Sequence, residues 1–131
     1  MKKDPEQRPI TALQMQILRV LWQRGECSVQ EVQEYLSPSR ALAPTTVGTL
    51  LKRLTDRGLV AHRKQGRQFV YRATTSESEI LAQTVGQVQE EVFEGDIAAF
   101  AAQLLRQDSV GRADLERIRK LIEARERELE G

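Results

Sequence analysis

Apolar residues first recur at helical spacing in ITALQMQILRVLWQRG, where Leu13, Ile17, Leu18, Val20, Leu21 and Trp22 fall mainly on one face. Thr11 stands where an N-cap belongs and Gly25 where a helix stops. SVQEVQEYL predicts a short second helix, with Ser28 and Glu31 in capping-box spacing and Val29, Val32, Tyr35 and Leu36 facing one way. SPSRALA interrupts the pattern. Pro44 then opens a third helix whose Val47, Leu50, Leu51 and Leu54 point inward, with Gly58 just past its end. With that face assigned, Thr45, Thr46, Gly48, Thr49, Lys52 and Asp56 are left facing out.

The period then drops from helical to alternating. LVAHRK and RQFVYRA read as two strands joined around Gln65-Gly66. Leu59, Phe69 and Tyr71 are the candidates for core contact, and Arg63, Lys64, Arg67 and Arg72 can reach solvent. Three helices followed by a cationic hairpin is the order of a winged helix-turn-helix, in which the third helix enters a major groove and the hairpin lies along the phosphates.

Beyond the hairpin the helical period returns three times. SESEILAQTVGQVQEEVFEG starts with a Ser76 to Glu79 capping box and carries Ile80, Leu81, Val85, Val88, Val92 and Phe93. DIAAFAAQLLRQ offers Ile97, Phe100, Ala101, Leu104 and Leu105, and a last helix from about Arg112 to Glu130 offers Leu115, Ile118, Leu121, Ile122 and Leu129. A unit only a little above ~40 residues is marginal alone. Pairing with a second copy completes its core; packing back on the same chain's front part is the alternative. The expected architecture is therefore mainly α with a small β-hairpin wing: a winged helix-turn-helix at residues 1–75 and a three-helix dimerisation domain at 76–131.

Charge sharpens this division. The whole chain of 131 residues carries a formal net charge of +1, yet residues 1–75 hold 13 Lys and Arg against 6 Asp and Glu, and residues 76–131 hold 7 against 13. The front is thus +7 and the back −6. A basic front is the electrostatic footprint of nucleic-acid binding, since neutralising phosphates releases condensed counterions. Short hydroxyl side chains at the start of a groove-reading helix supply hydrogen bonds to base edges and methyls that touch thymine, which is what Thr45, Thr46 and Thr49 offer. The helix start donates N–H groups to phosphate, and the cations Lys52, Arg63, Lys64 and Arg67 fix register on the duplex without reading sequence.

The chemistry of other classes is thin. One cysteine, Cys27, and one histidine, His62, make neither a disulfide nor a zinc cluster, so no cofactor or metal is expected. The Glu90-Glu91 and Glu126…Glu128 pairs read as solvated helix faces, and no Gly-rich phosphate loop is present, so no catalytic residues are assigned. MKKDPEQRPI lacks the apolar stretch of a signal segment, and no apolar run approaches the ~18 residues of a membrane span. The expectation is a cytoplasmic protein without membrane insertion. A winged helix used for protein–protein assembly remains a second class, but its exposed face would normally lack so many outward cations.

From Ile10 to Arg72 the chain resembles the BlaI/MecI/CopY family of transcriptional repressors. Leu21-Trp22 ends the first helix, APTTVGTLLKRL carries Pro44, Thr46, Val47, Thr49, Leu50, Leu51, Arg53 and Leu54 of a recognition-helix pattern of the form (S/T)-P-x-T-V-x-T-L-L-x-R-L, and Arg57-Gly58 precedes a wing containing Lys64-Gln65-Gly66-Arg67 and Tyr71. The family pattern usually places a lysine or other polar side chain where Gly48 stands. The resemblance implies a homodimer on a palindromic double-stranded DNA operator. Leu81, Val85, Val88, Val92, Phe100, Leu104, Leu115, Ile118 and Ile122 would then line the dimer seam. It also implies two routes of release. The copper-responsive branch uses paired C-terminal cysteines, which this sequence lacks. The beta-lactam-responsive branch is cut in its fifth helix by a membrane sensor protease, in an Ala-Asn-Phe setting. Ala102-Gln103-Leu104 stands there instead, so Gln103 and Leu104 mark the candidate cleavage position and a sensor-linked protease the corresponding partner.

Overall fold

A computed structural model describes residues 8–36 and 41–131; the expected break at Ser37 to Arg40 and the charged N-terminus up to Gln7 lie outside them. Two compact units emerge, Met1–Val85 and Gly86–Gly131, with the division inside a helix rather than ahead of it.

The first unit begins with α1 (Ala12–Arg24), which a reciprocal capping box starts: Thr11 Oγ1 accepts from the Gln14 N–H at 3.0 Å and Gln14 Oε1 accepts from the Thr11 N–H at 3.1 Å. Gly25 ends it at φ +81°, a conformation that favours glycine. Cys27–Ser28 form β1, followed by α2 (Val29–Tyr35), at whose start Ser28 and Glu31 close the expected capping box. α3 (Pro44–Asp56) carries Pro44 in its first turn and ends before Gly58 at φ +77°. β2 (Val60–Gln65) and β3 (Gln68–Ala73) make the hairpin, and α4 (Glu77–Glu91) follows.

The sheet order is β1-β3-β2, all antiparallel, with Cys27 opposite Tyr71 and His62 also opposite Tyr71. The pairing of Gln65 with Gln68 leaves Gly66-Arg67 as the two-residue loop, one position later than the sequence pattern placed it. Gly66 has φ +64° and Arg67 does not share a positive φ, the pattern of a hairpin turn with glycine first.

The core gathers Ile17, Leu18 and Leu21 from α1, Val32 from α2, Leu36 just after it, Val47, Leu51 and Leu54 from α3, Val60 and Tyr71 from the sheet, and Ile80 from α4. Cys27 is buried there too, so it packs as a small apolar side chain, and desolvation raises its thiol pKa above the ordinary value. Trp22 is half-buried, and its Nε1–H donates to the Thr75 carbonyl at 2.8 Å, tying α1 to the end of the hairpin. Two sequence expectations fail. Phe69 is 48% exposed rather than a core residue, and Tyr35 lies 44% exposed beneath Arg24, whose guanidinium carbon is 4.3 Å from the ring centroid.

In the second unit, α5 (Ile97–Leu105) is capped by Asp96, whose Oδ1 accepts from the Ala99 N–H at 3.0 Å. α6 (Arg112–Glu130) starts where Asp114 Oδ2 accepts from the Gly111 N–H at 3.0 Å. Phe93 and Phe100 meet edge to face at 4.9 Å. Neither α5 nor α6 has a buried residue within this chain.

Candidate nucleic-acid interface

The outer surface of α3 is defined by what its inner surface buries. Val47, Leu51 and Leu54 are fully buried at helical spacing, so with 3.6 residues per turn the opposite side presents Thr45, Thr46, Thr49, Lys52, Arg53 and Asp56, all exposed. Gly48 sits at one edge, and a Cβ there would meet nothing within 4 Å. The two flanks of this surface have different neighbours. Gly48, Lys52 and Thr55 border a groove of about 330 Å³ shared with His62, Phe69 and Tyr71 of the wing. Arg53 and Arg57 border another, of about 440 Å³, shared with Arg8, Thr11 and Gln14 at the start of α1. Asp56 lines both.

Unlike α1, α2 and α5, α3 begins without a side-chain cap, because Ala43 occupies the N-cap position. Pro44 has no N–H, and those of Thr46 and Val47 both reach the Ala43 carbonyl, at 3.0 and 3.1 Å. The helix start therefore offers fewer backbone donors than its sequence position implies, leaving the N–H of Thr45. Thr49 Oγ1 donates to the Thr45 carbonyl at 3.0 Å, so its hydrogen is committed to the helix while its lone pairs and methyl remain exposed.

Strand alternation separates the wing cations. Lys64 pairs with Phe69 and His62 with Tyr71 in the β2–β3 register, so these side chains share the face that borders α3. His62 and Phe69 pack at 4.8 Å between ring centroids. Arg63 points to the other face, where it grips Glu26 through Nε at 2.8 Å and Nη2 at 2.9 Å. That hydrogen bond holds the Glu26 carboxyl below the usual carboxylate range against the opposing effect of burial, and the charges of Arg63 and Arg72 add to it. The pair is complete above the ordinary carboxylate pKa and is lost only as pH falls through the lowered value. Arg67, at the hairpin tip, is exposed. The structure thus brings Thr45, Thr46, Thr49 and Lys52 together on α3, with Lys64 on the adjoining wing face and Arg67 at its tip, and sets Arg63 apart.

Sequence reasoning missed Glu26 as a partner of Arg63 and missed Arg8, Arg53 and Arg57 beside α3. Arg53 had a signal: it stands four residues after Thr49 and so lies on the same outward side. Among the described residues no group of His, Cys, Asp and Glu could hold a metal ion, and no helix is long and apolar enough to cross a membrane.

The family model for the penicillinase repressor matches residues 10–124. The chain belongs to the penicillinase repressor family. The family is one of DNA-binding transcriptional repressors. The penicillinase repressor of Bacillus licheniformis is 25% identical over 123 residues, covering 94% of each chain. A solved DNA-binding domain of the repressor BlaI is 34% identical, covering 60% of this chain and 93% of that one at a TM-score of 0.49. A mutant MarR from E. coli, 17% identical, covers 88% of this chain and 76% of its own at a TM-score of 0.52, a likeness of fold alone.

From α4 onward, this member of the penicillinase repressor family displays the candidate seam residues. Leu81, Val85, Val92, Leu104, Leu115 and Ile122 are exposed by 42 to 67%, while Val88, Phe100 and Ile118 are half-buried. Leu121 and Leu129 are more exposed still, at 68 and 72%. Gln103 and Leu104 are both exposed in the last turns of α5, and their backbone is helical.

Proposed function

We propose that this chain represses transcription by binding a palindromic DNA operator as a homodimer, with α3 in the major groove and the β2–β3 wing on the backbone. The observation that carries the reading is the outer surface of α3: three exposed threonines at an end that no side chain caps, with Lys52 beside them and Lys64 on the same strand face as His62, which borders the groove to the wing. A phosphate is a natural cap for such an end. Residues 1–75 form the DNA-binding part and 76–131 the dimerisation part, and the protein acts in the cytoplasm, where its operator is.

Replacing Thr46 by Ala tests the base-reading role. The variant is expected to bind its operator about 1–3 kcal/mol more weakly while unrelated duplex binding hardly changes, because base contacts act on discrimination. Titrations on both duplexes decide it, and equal losses on the two would reassign the threonine to folding or backbone contact. Footprinting on DNA flanking the chain's own gene supplies the operator.

The wing yields a separate expectation. Arg67→Ala should lower the slope of log affinity against log salt by about one on any duplex. The double change Glu26→Gln with Arg63→Gln removes an internally neutral pair and should leave that slope near the wild-type value. A fall of about one in the double variant would return Arg63 to the phosphate-contacting set.

Release by a sensor-linked protease at Gln103-Leu104 fits the exposure of both residues, but a helical backbone must unwind locally before a protease can accept it. Cleavage there would separate α6 from the rest of the chain and so remove the α6 share of the seam rather than a DNA contact.

A further inference from the structure

We propose that Arg8, Arg53 and Arg57 hold a second backbone phosphate of the duplex, on the flank of α3 away from the wing; the inference rests on the DNA-binding reading above. A helix lying in a major groove has a phosphate strand along each side. The wing-side flank meets one strand with Lys52, Lys64 and Arg67. The other flank would be bare if binding used only those groups, yet it carries three guanidinium groups around one groove.

These groups are arranged by the fold. Arg53 and Arg57 follow one another by a turn along α3, and Arg57 Nη2 donates to the Arg8 carbonyl at 2.6 Å, which fixes Arg57 against the chain leading into α1. Its Nε is buried with no acceptor among the described residues. Burial, and after it the charge of Arg8, lowers the Arg57 pKa from its ordinary value. Like charges are therefore held near one another in a partly desolvated place. Asp56 lines the same groove, but among the described residues no ion pair joins it to any of the three arginines. An oxyanion entering the groove meets three guanidinium groups against the single Asp56 carboxylate, and guanidinium geometry suits a phosphate.

The Arg8 and Arg53 side chains are exposed, so they can be changed without opening the core. In the full-length chain, Arg53→Gln and Arg8→Gln are each expected to reduce the salt slope of duplex binding, and together by up to about 0.9, the contribution of one phosphate no longer neutralised, equally on operator and unrelated DNA. Ethylation interference on the operator should then lose a phosphate on one strand with Arg53→Gln and a phosphate on the other strand with Arg67→Ala. Thermal unfolding of the variants should match wild type. Unchanged slopes and interference patterns in both arginine variants, with Arg67→Ala still active on the slope, would overturn this inference and leave the proposed function standing. So would a loss confined to the operator at constant slope, which would make Arg53 a base reader, or competition by millimolar inorganic phosphate at constant ionic strength, which would make the groove a site for a free anion. A wild-type chain that bound no duplex at low salt would remove the proposed function itself, and this inference with it.

Discussion

Ile122→Asp is expected to yield a folded monomer whose affinity for a two-half-site operator falls about 10²- to 10⁴-fold, while its affinity for a single half-site stays close to that of wild type. The side chain is 55% exposed in the single chain, so the aspartate costs little to the fold of one copy. In a dimer the same aspartate would be an unpaired buried carboxylate, which costs several kcal/mol. The first half-site is bound with one domain's modest affinity, and the second is gained through effective concentration only when two domains are joined. Sedimentation analysis beside titrations on whole and half operators separates the cases. A variant that stays dimeric and binds the whole operator as wild type does would take α6 out of the seam.

The second large effect is expected from inside α3. Leu51 is fully buried between the outward threonines and the core formed by Ile17, Leu18 and Leu54. Leu51→Ala should destabilise the first unit by about 2–5 kcal/mol through reduced burial and the cavity left behind. Denaturant titration should show a lower midpoint. Binding to operator and unrelated duplex should fall together near that midpoint, unlike the selective loss expected of Thr46→Ala. A change below about 1 kcal/mol would mean that the surroundings close over the cavity.

The contrast between these two residues follows how much of the molecule its sequence displays. Patterns confined to neighbouring residues were legible. Thr11, Ser28 and Pro44 mark helix starts, Gly25 and Gly58 mark ends, and the inward positions of α3 follow from helical period. The Ser76 box is realised only on one side: its Oγ accepts from the Glu79 N–H, while the Glu79 carboxylate turns to the Thr75 hydroxyl. β1 escaped notice because two residues cannot show an alternation; its strand character comes from pairing with β3. Phe69 was misplaced because alternation says which residues share a face, and its face passes from the core at Tyr71 to the open side of the wing two residues earlier. The Arg63 to Glu26 and Arg57 to Arg8 contacts join residues 37 and 49 positions apart, beyond the reach of any local pattern.

Leu121, Ile122 and Leu129, left open along α6, bear on dosage. If two chains must meet before an operator is filled, and the chains are mostly single at the working concentration, occupancy at low filling rises with the square of the amount of protein. Halving synthesis would then lower occupancy about fourfold rather than twofold. Such a repressor switches over a narrower range of cellular abundance than a one-chain binder, even with no inducer present.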